Sequence, residues 1–228
     1  MRLPTTPTTT LWRELRDEVL RSYPAGRVII AVDGVDGAGK STFADGFAEA
    51  FAEVGAAVYR ASIDGFHRPR AERYARGRRS PEGFYRDSFD YSALRRVLID
   101  PFRDGSQTAG TTGFQLEAFD VARDTPVAAQ WVTARKDAVL ILDGIFLLRP
   151  ELRDWWDWSV WLEVPFSVSY ARMALRDGSN PDPDAPSNAR YRQGQELYLS
   201  EARPQAEASA VVDNSDLGHP VRVAEDVG

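Results

Sequence analysis

The stretch GVDGAGKST, residues 34–42, fits the pattern G-x-x-x-x-G-K-[ST]. It stands between an apolar run, RVIIAVD (27–33), and a run that reads as a helix over 41–55. No other feature limits the fold so tightly. The continuous β-branched run predicts a strand buried on both faces. AAVYRAS (56–62) predicts a second strand, so the order is strand–loop–helix–strand, which implies a right-handed βαβ unit in a parallel sheet. The glycines let backbone N–H groups turn inward around phosphate oxygens, and the helix N-terminus adds partial positive charge. In such a cradle Lys40 reaches the β- and γ-phosphates and Ser41 binds Mg²⁺. The residues expected to hold ATP are Gly34, Asp36, Gly37, Ala38, Gly39, Lys40, Ser41 and Thr42. An ordinary glycine turn ahead of a helix is the competing reading, and the strand–loop–helix context weighs against it.

Composition sharpens this point. Of 28 basic residues only Lys40 and Lys136 are lysine, a bias of the kind a GC-rich genome imposes. One of the two stands inside the cradle, where a compact ammonium acts as a point charge and a planar guanidinium is too bulky. The net charge of −6 argues against a dedicated nucleic-acid binder. The chain has no cysteine, which excludes disulfides and thiolate zinc sites and fits a reducing cytoplasm. Its start carries no apolar h-region, and its most apolar stretch, AVLILDGIFLL, is about half the length of a spanning helix. A cytoplasmic protein without a membrane partner is expected.

Along the chain, helices are expected over 10–22, over 91–102 with the proline at its end, over 165–177 and over 190–204. Strands are expected over 138–144 and 157–164 and in ASAVVDN. Residues 63–90 read as loop with one short helix, and TGFQLEAFDVARDTPV (112–127) as an antiparallel excursion. One α/β domain over 1–228 is expected. HPVRVAEDVG, at the C-terminus, reads either as an added strand or as a tail.

Two acids stand at or just past the ends of buried strands. Residues just past the C-terminal strand ends of a parallel sheet line the ligand crevice. Asp64, in ASIDGFHRPR, is therefore placed to accept the proton of an attacking hydroxyl and to touch Mg²⁺. Asp143, in LILDGIF, has the form of a second Mg²⁺ ligand acting through water. There is no guanine-specific N-K-x-D and no L-S-G-G-Q signature, which leaves P-loop phosphotransferases.

GVDGAGKST, SIDGFH, YRDSFDYSAL, LILDGIFLL, ARMALRD and YL…P…A…VVDN occur in the order found in the uridine kinase-like branch of P-loop kinases, the uridine kinase/phosphoribulokinase superfamily. The chain resembles that family over about residues 25–215. The resemblance implies a three-layer α/β/α P-loop fold with a mostly parallel sheet and a small lid over about 177–192. It implies transfer of the ATP γ-phosphate, with Mg²⁺, to a primary hydroxyl, usually the 5′-OH of a ribonucleoside. Asp64 matches the family's general base and His67 the aromatic residue that follows it. Arg172 and Arg176 match basic residues leading into the lid, with Arg190 and Arg192 beyond it. Tyr85, Asp87 and Arg192 complete the expected acceptor contacts.

The chain also departs from the family. The stretch EAFDVARD has no histidine where uridine–cytidine kinases read the pyrimidine, and GFYRDSFD replaces F-D-H-P. Related branches phosphorylate pantothenate, nicotinamide riboside or sugars, and these acceptors stay open, as does a non-catalytic ATP-binding switch. The six arginines of residues 67–79 read as an anion-sensing rim or as a solvated loop. WWDWSVW (155–161) reads as core filling or as the surface of a homo-oligomer.

Overall fold

The computed structural model describes residues 2–104 and 113–224. Its first helix, α1 (Pro7–Ser22), begins before the expected position 10. A capping box explains the earlier start. The Thr9 N–H donates to Thr6 Oγ1 (3.2 Å), the Thr6 N–H donates to Thr9 Oγ1 (2.9 Å), and Pro7 occupies the first turn. The chain continues through β1 (Val28–Gly34), α2 (Lys40–Ala52) and β2 (Val58–Ser62). Every residue of β1 is buried, as its unbroken apolar run requires.

Residues 63–90 are more regular than their composition indicates. A 3₁₀ turn (Ile63–Phe66), a helical turn (Arg70–Arg73) and α3 (Pro81–Asp87) occupy the expected loop. Ser80 starts α3, its Oγ accepting from the Gly83 N–H at 3.0 Å. The helix expected over 91–102 does not end at its proline. Tyr91–Leu94, a π-helical turn over Arg95–Ile99 and Asp100–Asp104 follow one another without a break. The wider turn, in which the Asp100 N–H donates to the Arg95 carbonyl, accommodates a ring that would clash with an α-helical carbonyl.

The excursion is a hairpin of β3 (Phe119–Asp120) and β4 (Thr125–Pro126), turned at Asp124 with φ 56°; Thr112 lies outside the described residues. Then come β5 (Val139–Gly144), β6 (Trp158–Glu163), α4 (Phe166–Asp177), α5 (Ala189–Ala202) and β7 (Ala210–Asp213). The C-terminal segment adds a strand, β8 (Val221–Arg222), antiparallel to β7; residues 225–228 lie outside the described residues.

The main sheet has the order β2-β5-β1-β6-β7-β8 and is parallel except for β8. Helices flank it, giving an α/β P-loop NTPase fold. β5 lies between β1 and β2, with Val32 and Ser62 both opposite Asp143. The polar ends of three strands thus emerge together on one rim, which is where the site forms.

The tryptophan-rich stretch is core. Trp156, Trp158 and Trp161 are buried, and their indole N–H groups donate to Leu147 O (2.8 Å), Glu18 Oε1 (3.2 Å) and Glu163 Oε2 (2.6 Å). Each such burial contributes about 1.5–3 kcal/mol, and none of these three rings is left for a second copy of the chain. Among the described residues no helix is long and apolar enough to cross a membrane.

Candidate active site

The cradle is the turn from β1 into α2. Gly39, at φ 88°, is the N-cap of α2, and no side chain takes up the first N–H groups of that helix. The left-handed conformation at Gly39 and at Gly37 (φ 75°) excludes most other residues. The loop is braced from three sides. Lys40 Nζ donates to Val35 O at 2.8 Å, and the Asn214 side-chain amide donates to Ala38 O at 2.7 Å. On the third side, a Cβ at Gly37 would collide with the Ser169 carbonyl of α4.

A cleft of about 520 Å³ opens from this loop. Its walls bring together Asp36, Gly37, Gly39, Lys40, Ser41, Thr42, Asp64, Asp143, Arg172 and Arg176, residues the sequence placed in one site from four separate segments. Gly34 sits behind the loop, its Cα hydrogens facing Leu162, and Ala38 is buried.

Ser41 Oγ donates to Asp143 Oδ2 at 2.7 Å, so two of the three residues expected at the metal already touch, Asp64 being the third. Arg60, which sequence reasoning missed, takes the other oxygen, with Nη2 to Oδ1 at 2.8 Å. Among the described residues no group of three or more His, Asp or Glu side chains is arranged to hold a metal. A hydroxyl and one carboxylate beside a phosphate cradle nonetheless fit Mg²⁺, which keeps several waters and binds through one or two carboxylates plus phosphate oxygens.

Asp64 is exposed to the cleft on the 3₁₀ turn, where Ser62 Oγ accepts from its N–H at 3.3 Å. His67 Nδ1 lies 2.9 Å from the Asp64 carbonyl oxygen, and its ring packs on Phe89 at 4.6 Å. Burial holds the His67 pKa below its usual value, so the ring is neutral near pH 7. His67 therefore fixes the turn that presents Asp64.

The remaining expected residues lie away from this cleft or are engaged by the fold. Tyr85 is buried, packed edge-on against Phe146 (5.0 Å) and tilted against Tyr198 (5.7 Å) with the Arg149 guanidinium over its ring, because a phenol on the inner face of α3 belongs to the core. Asp87 accepts from Arg76 Nε at 2.8 Å. Arg192 is bound by Asp184 and Glu196, both at 2.8 Å, above the Phe166 ring. None of the three lines the cleft. Arg172 lines it, but its Nη2 is engaged by the Asn214 and Ser215 carbonyls (2.9 and 2.7 Å), while Nη1 is buried without a partner. Arg176 is exposed and, among the described residues, its ion pair is with the adjacent Asp177.

Three of the six arginines of residues 67–79 are tied into the fold. Arg68 Nε donates to Phe89 O at 3.0 Å, Arg73 pairs with Asp124 at 3.3 Å, and Arg76 takes Asp87.

Asp33 was also missed. It is fully buried at the end of β1 and accepts from Leu148 N–H (2.9 Å), from its neighbour Gly34 N–H (2.7 Å) and from the Tyr198 hydroxyl of α5. Burial outweighs these bonds and raises its pKa to about 6. An acid inside an otherwise apolar strand was the available signal.

No family model matches the chain. Its fold matches several solved structures. A possible uridine kinase from Bacillus stearothermophilus is 24% identical, with a TM-score of 0.67, over 88% of this chain and 96% of that one. A "putative fructose transport system kinase" from Silicibacter sp. TM1040 is 28% identical, with a TM-score of 0.60, over 86% and 94%. A D-glycerate 3-kinase from Cryptococcus neoformans is 10% identical, with a TM-score of 0.55, over 95% and 97%. The chain has the fold of the P-loop kinases of the uridine kinase-like superfamily.

Proposed function

We propose that the protein is an ATP-dependent kinase that phosphorylates a hydroxyl of a small molecule. One observation carries this reading: Asp64, Lys40, Ser41 and Asp143 face a single cleft at the carboxyl ends of the strands. In this reading the cradle N–H groups and Lys40 hold the phosphates, and Arg176, with the free Nη1 of Arg172, neutralises charge on the transferring phosphoryl group. Asp64 accepts the acceptor's proton as that oxygen bonds to the γ-phosphorus and the bond to the β-phosphate oxygen breaks. Ser41 and Asp143 would hold Mg²⁺, which supplies charge neutralisation at the departing diphosphate. The segment over about 177–192, the connection between α4 and α5 with the first turn of α5, would close over the cleft as a lid and exclude water.

A nucleoside is the first acceptor to test, from the order of the sequence blocks. A sugar is the second, favoured by the 28% identical fructose-transport kinase. An ATP-consumption assay with Mg²⁺ across uridine, cytidine, nicotinamide riboside, pantothenate, fructose and sugar phosphates separates them. Asp64→Asn is expected to lower kcat by roughly 10²–10⁴-fold while leaving nucleotide affinity unchanged. Retained turnover in that variant would remove Asp64 from the chemistry. Nucleotide binding without turnover of any acceptor would favour the switch.

A further inference from the structure

Arg60 is held by more acceptors than a surface pair would need. From β2 it donates through Nη2 to Asp143 Oδ1 (2.8 Å), through Nη1 to Ile141 O (2.8 Å) and Ala61 O (3.1 Å), and through Nε to Asp45 Oδ1 (3.0 Å). Asp45 lies one turn after Ser41 on α2, and Ser41 closes the circuit by donating to Asp143 Oδ2. Ser41, Asp143, Arg60 and Asp45 thus form a run of bonded side chains, closed through the α2 backbone, that joins the first turns of α2 to β2 and β5. Three-quarters of the Arg60 side chain is shielded, and the Asp143 side chain almost wholly so.

The consequence concerns charge. Asp143 is the carboxylate offered to the metal, yet one of its oxygens already faces a guanidinium and the other a hydroxyl. A dication approaching this pair alone gains one countered carboxylate and meets the repulsion of Arg60 at close range. The same dication arriving with triphosphate brings phosphate oxygens that outweigh the guanidinium. We infer that Arg60 is a positioning and charge-balancing residue that makes metal binding at Ser41 and Asp143 conditional on bound nucleotide. It keeps the carboxylate aimed at Ser41 without letting the pair collect free Mg²⁺. The inference rests on the kinase reading, because it takes Ser41 and Asp143 as the metal's residues. A sequence search has no reason to find Arg60, since it sits mid-strand among 26 arginines.

The test is Mn²⁺ binding followed by electron paramagnetic resonance, with and without ADP, on the full chain. Wild type is expected to bind Mn²⁺ with ADP and to show little binding without it. Arg60→Gln, which removes the charge, is expected to bind Mn²⁺ roughly tenfold more tightly in nucleotide-free protein, the size expected of a close charge in a partly shielded site. Arg60→Lys, which keeps the charge but not the fork, is expected to stay as dependent on ADP as wild type.

Nucleotide-free binding that is equal in wild type and Arg60→Gln overturns the role of Arg60 and leaves the kinase reading intact. Mn²⁺ binding that is absent from wild type even with ADP overturns both. Should Arg60→Gln fail to fold, Arg60→Lys decides alone: nucleotide-free Mn²⁺ binding in that variant refutes charge balance.

Discussion

Asp33 shows how one side chain ties stability to pH. Its native pKa of about 6 lies above the ordinary 3.8, so the folded state holds a proton that the unfolded state releases between those values. Stability from this group is therefore largest below about pH 4 and is lost as pH rises through 6. The full span is about 3 kcal/mol from a shift of roughly two units. Urea unfolding of wild type and Asp33→Asn, compared from pH 7 down to pH 4, should show the difference moving toward wild type as pH falls. A constant difference would mean that Asp33 stays ionised in the fold. Such a residue hides in the sequence because its chemistry comes from burial, and burial is decided by Leu148 and Tyr198, more than a hundred residues away.

At the scale of elements, the cradle leans on α4. A methyl group at Gly37 would meet the Ser169 carbonyl, and its φ of 75° is strained for any side chain. Gly37→Ala should lower stability by about 1–3 kcal/mol and weaken nucleotide binding, both measurable by calorimetry. Retained affinity would show that α4 yields without disturbing the loop. The β1–α2 turn, the buried strands and the acids at the ends of β2 and β5 were all legible, because each depends on local pattern: an apolar run, a glycine spacing, a strand end. What escaped depends on distant neighbours. Tyr85 looks like a site residue in its block but faces Phe146, and Pro101 looks like a helix end but follows a π turn. Asn214 stands in a recognisable block, yet its bond to Ala38 O appears only once β7 is beside the cradle. Arg60 likewise acquires meaning only from the register that sets it opposite Ile141.

For the whole molecule, the sheet runs from β2 to β8 without interruption, and α1 joins its far edge through Thr8 Oγ1 to Gly218 O (3.0 Å) and through the Glu18–Arg222 pair. A single unfolding transition is expected, as the one-domain reading requires. Nucleotide with Mg²⁺ at a hundred times its dissociation constant should add about 2.7 kcal/mol and raise Tm by roughly 5–10 °C. Calorimetry with and without EDTA checks this, and two separated transitions would divide the chain. The brace from Asn214 to Ala38 spans 176 residues of chain. During synthesis the glycine loop leaves the ribosome long before its brace exists, and at about 5–20 residues per second the interval is roughly 10–35 s. A growing chain therefore displays the cradle motif while lacking the finished cradle, and nucleotide can assist folding only in its closing stage.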